Sequence, residues 1–154
     1  MWQRIQTVFL VIAIMCLVVS IFFPVWSFSD PLGQTHKLFP LHYTVIQNAE
    51  RNTVYFPYSL TAMLAIASAT LAIIEIGKYR NRVLQMKLGA LNSLFMAGTI
   101  ASAVIFSNQL VRTYEGGNYG LALWLPGVAV LCNLLANRFI RRDERIVRES
   151  DRLR

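Results

Sequence analysis

The chain has 154 residues, 55% hydrophobic and 15% charged, with 15 Lys and Arg against 8 Asp and Glu and a formal net charge of +7. That composition is too apolar for an ordinary soluble domain and points to a membrane. It also argues against a specific nucleic-acid binder, which would need a soluble scaffold carrying a basic face.

A bilayer core about 30 Å thick requires roughly 20 apolar residues in a helix. The first run that approaches this length is "TVFLVIAIMCLVVSIFFPV", residues 7–25. It is longer than the core of a signal peptide, and "FFPVWSF" offers no small-x-small cleavage site, so it reads as an uncleaved span. Residues 26–55 form the one substantial outer loop. Within it, "LHYTVI" and "NTVYF" are rich in β-branched and aromatic residues around a polar "QNAER", the pattern of a short antiparallel pair. Further apolar runs at 56–76, 87–106 and 119–138 supply three more spans, the last containing Pro126, where a kink beside Gly127 is expected. Residues 138–154 close the chain as a charged tail with no Gly or Pro, so the fourth helix is expected to continue through it.

The basic residues set the orientation. Arg4, Lys78, Arg80, Arg82, Lys87 and the seven arginines of the tail fall on one side, and only Lys37, Arg51 and Arg112 on the other. The positive-inside rule then places both termini in the cytoplasm. Trp26, Phe28, Tyr55, Phe56, Tyr58, Tyr119 and Trp124 read as anchors at the outer interface, and Trp2 and Tyr79 at the inner one.

Helices in lipid associate through close packing and hydrogen bonds. Gly89, Ser93, Ala97 and Ala101 offer a four-residue ladder of small residues on the third span, and Ala65, Ala69, Ser68 and Ala72 do so on the second. Asn92 and Asn133 lie at similar depth inside the third and fourth spans and are expected to meet, as a structural amide pair or as a polar solute site. Glu75, three residues before Lys78, reads as an inner-interface carboxylate paired with Lys78 or Arg82, with a proton relay as the sharper alternative.

Cys16 and Cys132 stand alone inside apolar runs and read as small buried hydrophobes. His36 and His42 have no ligand partner selected by spacing, although Asp30 and Glu50 share their loop, so they read as interfacial or solvated and no metal or cofactor is expected. "RTYEGGNYG" is a flexible turn, not a phosphate loop. No catalytic constellation is visible.

In the tail, Glu144 with Arg148 and Arg145 with Glu149 are four-residue ion pairs, and Phe139, Ile146 and Leu153 form a narrow apolar seam. The tail suits a protein partner or anionic lipid at the cytoplasmic face, and only weakly ribosomal RNA.

"WQRIQTVFLVIAI", "YRNRVLQMKLGALN" and "LANRFIRRDERIVRESDRLR" resemble an uncharacterised family of four-span bacterial inner-membrane proteins, domain of unknown function 4293. The resemblance covers nearly the whole chain and implies a bacterial inner membrane, but it supplies no activity, ligand or site residue.

The expected fold class is an all-α membrane protein with one domain, 1–154: a four-transmembrane-helix bundle, a small hairpin-like outer loop and a charged cytoplasmic helix extension. The expected function is a non-enzymatic accessory or scaffold subunit of a membrane assembly. Its partner or lipid contacts would be Arg80, Arg82, Lys87, Arg138, Arg141, Arg142, Arg145 and Arg148. The alternative is a small transporter or solute-binding protein using Asn92 and Asn133.

Overall fold

The computed structural model describes residues 2–31, 33–47, 50–79 and 81–152. In chain order the elements are α1 (Trp2–Ser20), β1 (Trp26–Ser29), β2 (Thr35–Leu38), β3 (Tyr43–Gln47), β4 (Glu50–Val54), α2 (Ser59–Gly77), α3 (Arg82–Tyr114), β5 (Asn118–Tyr119) and α4 (Leu121–Arg152). α1 packs on α2 and α4, and α3 packs on the same two, so the four helices close into a bundle.

The bundle is held by four inward stripes of one period. Gln6, Leu10, Ala13, Leu17 and Ser20 are buried on α1, and Thr61, Ala65, Ser68, Ala72 and Glu75 on α2. α3 buries Gln85, Gly89, Asn92, Met96, Thr99 and Ala103, and α4 buries Ala122, Pro126, Ala129, Asn133, Ala136 and Ile140. Steps alternating between three and four residues average close to the 3.6-residue turn and stay on one face. The small-residue ladder does not. A constant four-residue step drifts about 40° each time, so Gly89 is buried while Ala97 and Ala101 face outward. Ala65, Ser68, Ala69 and Ala72 are all buried, where small side chains let the backbones approach.

The expectation of an all-α bundle is overturned by a five-stranded antiparallel sheet, ordered β4-β3-β2-β1-β5, which draws on both outer loops. β3 and β4 are the hairpin pair, with Tyr43 opposite Val54 and Gln47 opposite Glu50. β1 and β2 extend it, and β5 joins from the far side of α3, with Asn118 opposite Ser27. One face alternates Trp26, Phe28, His36, Leu38, Tyr43 and Val45 over Phe106, Leu110, Tyr114 and Ala122 of the helices. The sheet is therefore a lid fused to the bundle core. It also corrects two readings: Trp26 is fully buried rather than an interfacial anchor, and His36 is buried rather than solvated.

Helix ends differ from the sequence reading for local reasons. α1 stops at Ser20, with tight bonds from Ile21 N to Val18 O and Phe22 N to Val19 O, before Pro24. α3 begins where Asn81 Oδ1 accepts from Leu84 N at 3.0 Å and ends at a left-handed Glu115. α4 runs on through Pro126, and the tail continues the helix. Three helical stretches, Ser59–Gly77, Arg82–Tyr114 and Leu121–Val147, are long and apolar enough to cross a membrane, whereas the described apolar part of α1, Ile5–Ser20, is shorter.

Candidate functional site

Polar residues recur every seven positions on the inward stripes of two neighbouring helices: Thr61, Ser68 and Glu75 on α2, and Gln85, Asn92 and Thr99 on α3. The helices run antiparallel, and the bond from Ser68 Oγ to Asn92 Oδ1 at 2.5 Å fixes their register. Thr61 is therefore level with Thr99 near the sheet, and Glu75 with Gln85 towards the basic end.

The middle level is a network across three helices. Asn92 Nδ2 donates to Asn133 Oδ1 at 3.4 Å. Asn133 Nδ2 donates to Gly89 O at 3.0 Å and to Ser93 Oγ at 2.9 Å. The two asparagines are thus brought together with both side chains buried. Gly89 gives α4 room: a Cβ there would lie 2.1 Å from Asn137 Oδ1.

One further level towards the basic end, the bonding stops. Among the described residues neither oxygen of Glu75 has a partner, nor do Gln85 Oε1, Gln6 Oε1 and Asn137 Oδ1. Glu75 is 0% exposed, Gln85 2% and Gln6 4%. The expected pairing of Glu75 with Lys78 or Arg82 is not formed. α2 ends at Gly77, so Lys78 leaves the helical path as its cap, and Arg82 Nη1 instead donates to Asp143 O at 2.9 Å. Gln85, Gln6 and Asn137 were missed by the sequence reading, although their inward three-and-four spacing was a usable signal.

Beyond that level lies the cationic end. Arg138, Arg141, Arg142 and Arg145 are exposed along α4, and Lys87 is exposed on α3. A groove of about 450 Å³ is lined by Ala90, Ser93 and Leu134 with Asn137, Arg138 and Arg141. A second, of about 530 Å³, is lined by the four arginines with Ile146 and Glu149. Arg145 Nε meets Glu149 Oε1 at 3.0 Å, both exposed, which contributes little stability. Phe139 of the tail seam stacks on Phe9 at 5.7 Å, but Ile146 and Val147 remain exposed. Arg80 and Leu153 lie outside the described residues, as does the side chain of Arg148.

Under the sheet, His36 Nδ1 lies 2.7 Å from Tyr43 Oη, and Tyr43 donates to Tyr114 Oη at 3.1 Å. With its proton given to Tyr114, Tyr43 accepts from His36 Nδ1–H, leaving Nε2 as a bare acceptor without a partner. Burial lowers the His36 pKa, partly offset by Asp30. Burial and then the Tyr114 hydrogen bond push the Tyr43 phenol well above the usual range. His42 is lowered by burial and then by the charge of Arg51. Among the described residues no three His, Cys, Asp or Glu side chains gather into a metal-binding group.

The chain matches the family model described as Domain of unknown function (DUF4293) over residues 2–153, and it belongs to that family. No curated protein matches it.

Proposed function

We propose that the protein is a non-enzymatic accessory or scaffold subunit of a bacterial inner-membrane assembly, with both termini in the cytoplasm. The observation that carries this reading is the ridge of Arg138, Arg141, Arg142 and Arg145 on a helix that continues past its apolar part. Lys87 adds a fifth cation at the same end. Cations there suit anionic headgroups or an acidic protein surface. Ile146 and Val147, exposed beside the arginines, suit a protein contact better than headgroups alone. The concentration of Lys and Arg at this end supports the cytoplasmic assignment.

The solute-binding alternative is less well supported, because Asn92 and Asn133 already bond to each other, to Ser68 and Ser93 and to a main-chain carbonyl. The test is purification from native membranes in mild detergent, comparing the wild type with a variant carrying Arg138→Gln, Arg141→Gln, Arg142→Gln and Arg145→Gln. A stoichiometric protein present with the wild type and lost from the variant is the expected result. An identical protein composition in both samples overturns the scaffold reading.

A further inference from the structure

We propose that Glu75, with the amide oxygens of Gln85 and Gln6, forms a buried site for a small monocation, either a proton or Na+. The placement rests on three observations. The Ser68–Asn92 bond sets the α2–α3 register, and a seven-residue step from each partner reaches Glu75 and Gln85 on the same inward faces. The stacking of Phe9 on Phe139 sets the α1–α4 register, and Gln6 lies one turn from Phe9 towards the same end. All three side chains are more than nine-tenths buried, and their unpartnered atoms are four oxygens.

The chemistry of that set selects the ligand. Oxygens without donors around one carboxylate call for something that brings positive charge. A single monocation makes the site neutral, whereas a divalent ion would leave an uncompensated charge and would favour more carboxylates. A proton on Glu75 supplies a donor that an amide oxygen can accept. Na+ would take the same oxygens directly.

Among the described side chains no cation meets this need; those of Arg4 and Arg80 lie outside them. On α3, Arg82 is turned to Asp143 O and Lys87 is exposed. α1 has no charged residue between Ile5 and Ser20, and Lys78 on α2's own end is exposed. Asp143 on α4 is partly exposed, and the Arg138 and Arg141 beside it face outward.

The test is infrared spectroscopy of the full chain in lipid nanodiscs, with the glutamate side chains isotopically labelled. Glu50, Glu115, Glu144 and Glu149 all reach solvent, so a protonated-glutamate band at neutral pH belongs to Glu75. The expected result is one such band per chain, lost in Glu75→Gln and titrated away at alkaline pH. If Na+, but not the same concentration of K+, removes the band at lower pH, the ligand is Na+ in exchange with the proton. If the two salts act alike, it is the proton alone. Either result supports the site. A wild type with only ionised glutamate at neutral pH and no Na+-specific response overturns it. That reading needs no variant to fold. Gln85→Met keeps Glu75 and removes one oxygen, and should shift the pH at which the band disappears; an unmoved titration removes Gln85 from the site.

Discussion

Replacing Asn133 with Ala tests whether the middle polar level holds the bundle together. The substitution deletes two well-formed bonds, to Gly89 O at 3.0 Å and Ser93 Oγ at 2.9 Å. The third, from Asn92 Nδ2 at 3.4 Å, is long and contributes least. Interhelical hydrogen bonds in membranes average about 0.6 kcal/mol and reach about 1.7. Two of them, with Asn92 Nδ2 left without an acceptor, give a loss of about 2 kcal/mol. That is roughly a thirtyfold shift of the unfolding equilibrium. Reversible unfolding in mixed micelles, followed by circular dichroism, measures it. Leu134→Ala is the control, because this neighbouring side chain is exposed on the outer face, and it should change stability by less than about 0.5 kcal/mol. An Asn133→Ala variant as stable as that control would refute the structural role of the network. It would also restore weight to solute binding at these amides.

Other outcomes follow from the sheet and its junctions. A Cβ at Gly120 would lie 2.1 Å from Pro24 O, a main-chain atom that cannot rotate away. Gly120→Ala should therefore break the bond from Gly120 N to Val25 O and cost about 1–3 kcal/mol, read as faster hydrogen exchange in β1. Gly98→Ala should be tolerated, since its Cβ would meet Leu64 Cδ1 at 3.5 Å, an ordinary contact. Folding lowers the pKa of both His36 and His42, so the unfolded chain binds more protons between the two values. Stability is then full above the unfolded value of about 6.5 and is lost as pH falls below it towards the lowered folded values. The unfolding midpoint measured against pH should show that slope, and replacing both histidines with Gln should flatten it.

The helical part of this fold was legible because each stripe keeps its period through long apolar segments. The sheet was not. β1 and β2 have four residues each and β5 has two, and β5 is separated from β1 by the outer loop and two helices. A "DPLG" turn between "WSFS" and "THKL" was the local clue: Gly33 N donates to Asp30 O at 3.0 Å, with Gly33 at φ +83°. Asn92 and Asn133 could be read from depth alone, since both lie five residues inside a basic helix end. Glu75 misled because a lysine three residues on suggests a helical pair, and that inference fails when the helix ends between them.

The three polar levels are satisfied in different ways, and the order argues for where function lies. Near the sheet, Thr99 and Ser102 bond carbonyls of their own helix, which holds no neighbour in place. In the middle, Ser68, Asn92 and Asn133 bond between helices and fix the register. At the last level, Glu75, Gln85 and Gln6 are buried with oxygens that have no partner among the described residues. A bundle shaped for stability alone would place apolar side chains there, because unpaired buried polar groups are destabilising. The same stripe positions hold Ala, Leu and Met elsewhere in the helices, so the period imposes no need for polarity. Departures from local consistency of this kind mark the places where a fold gives up stability for function. Here that departure lies towards the basic end, where Arg82 of α3 bonds Asp143 O of α4, so a change of charge at Glu75 would be felt first at the end proposed to carry the contacts.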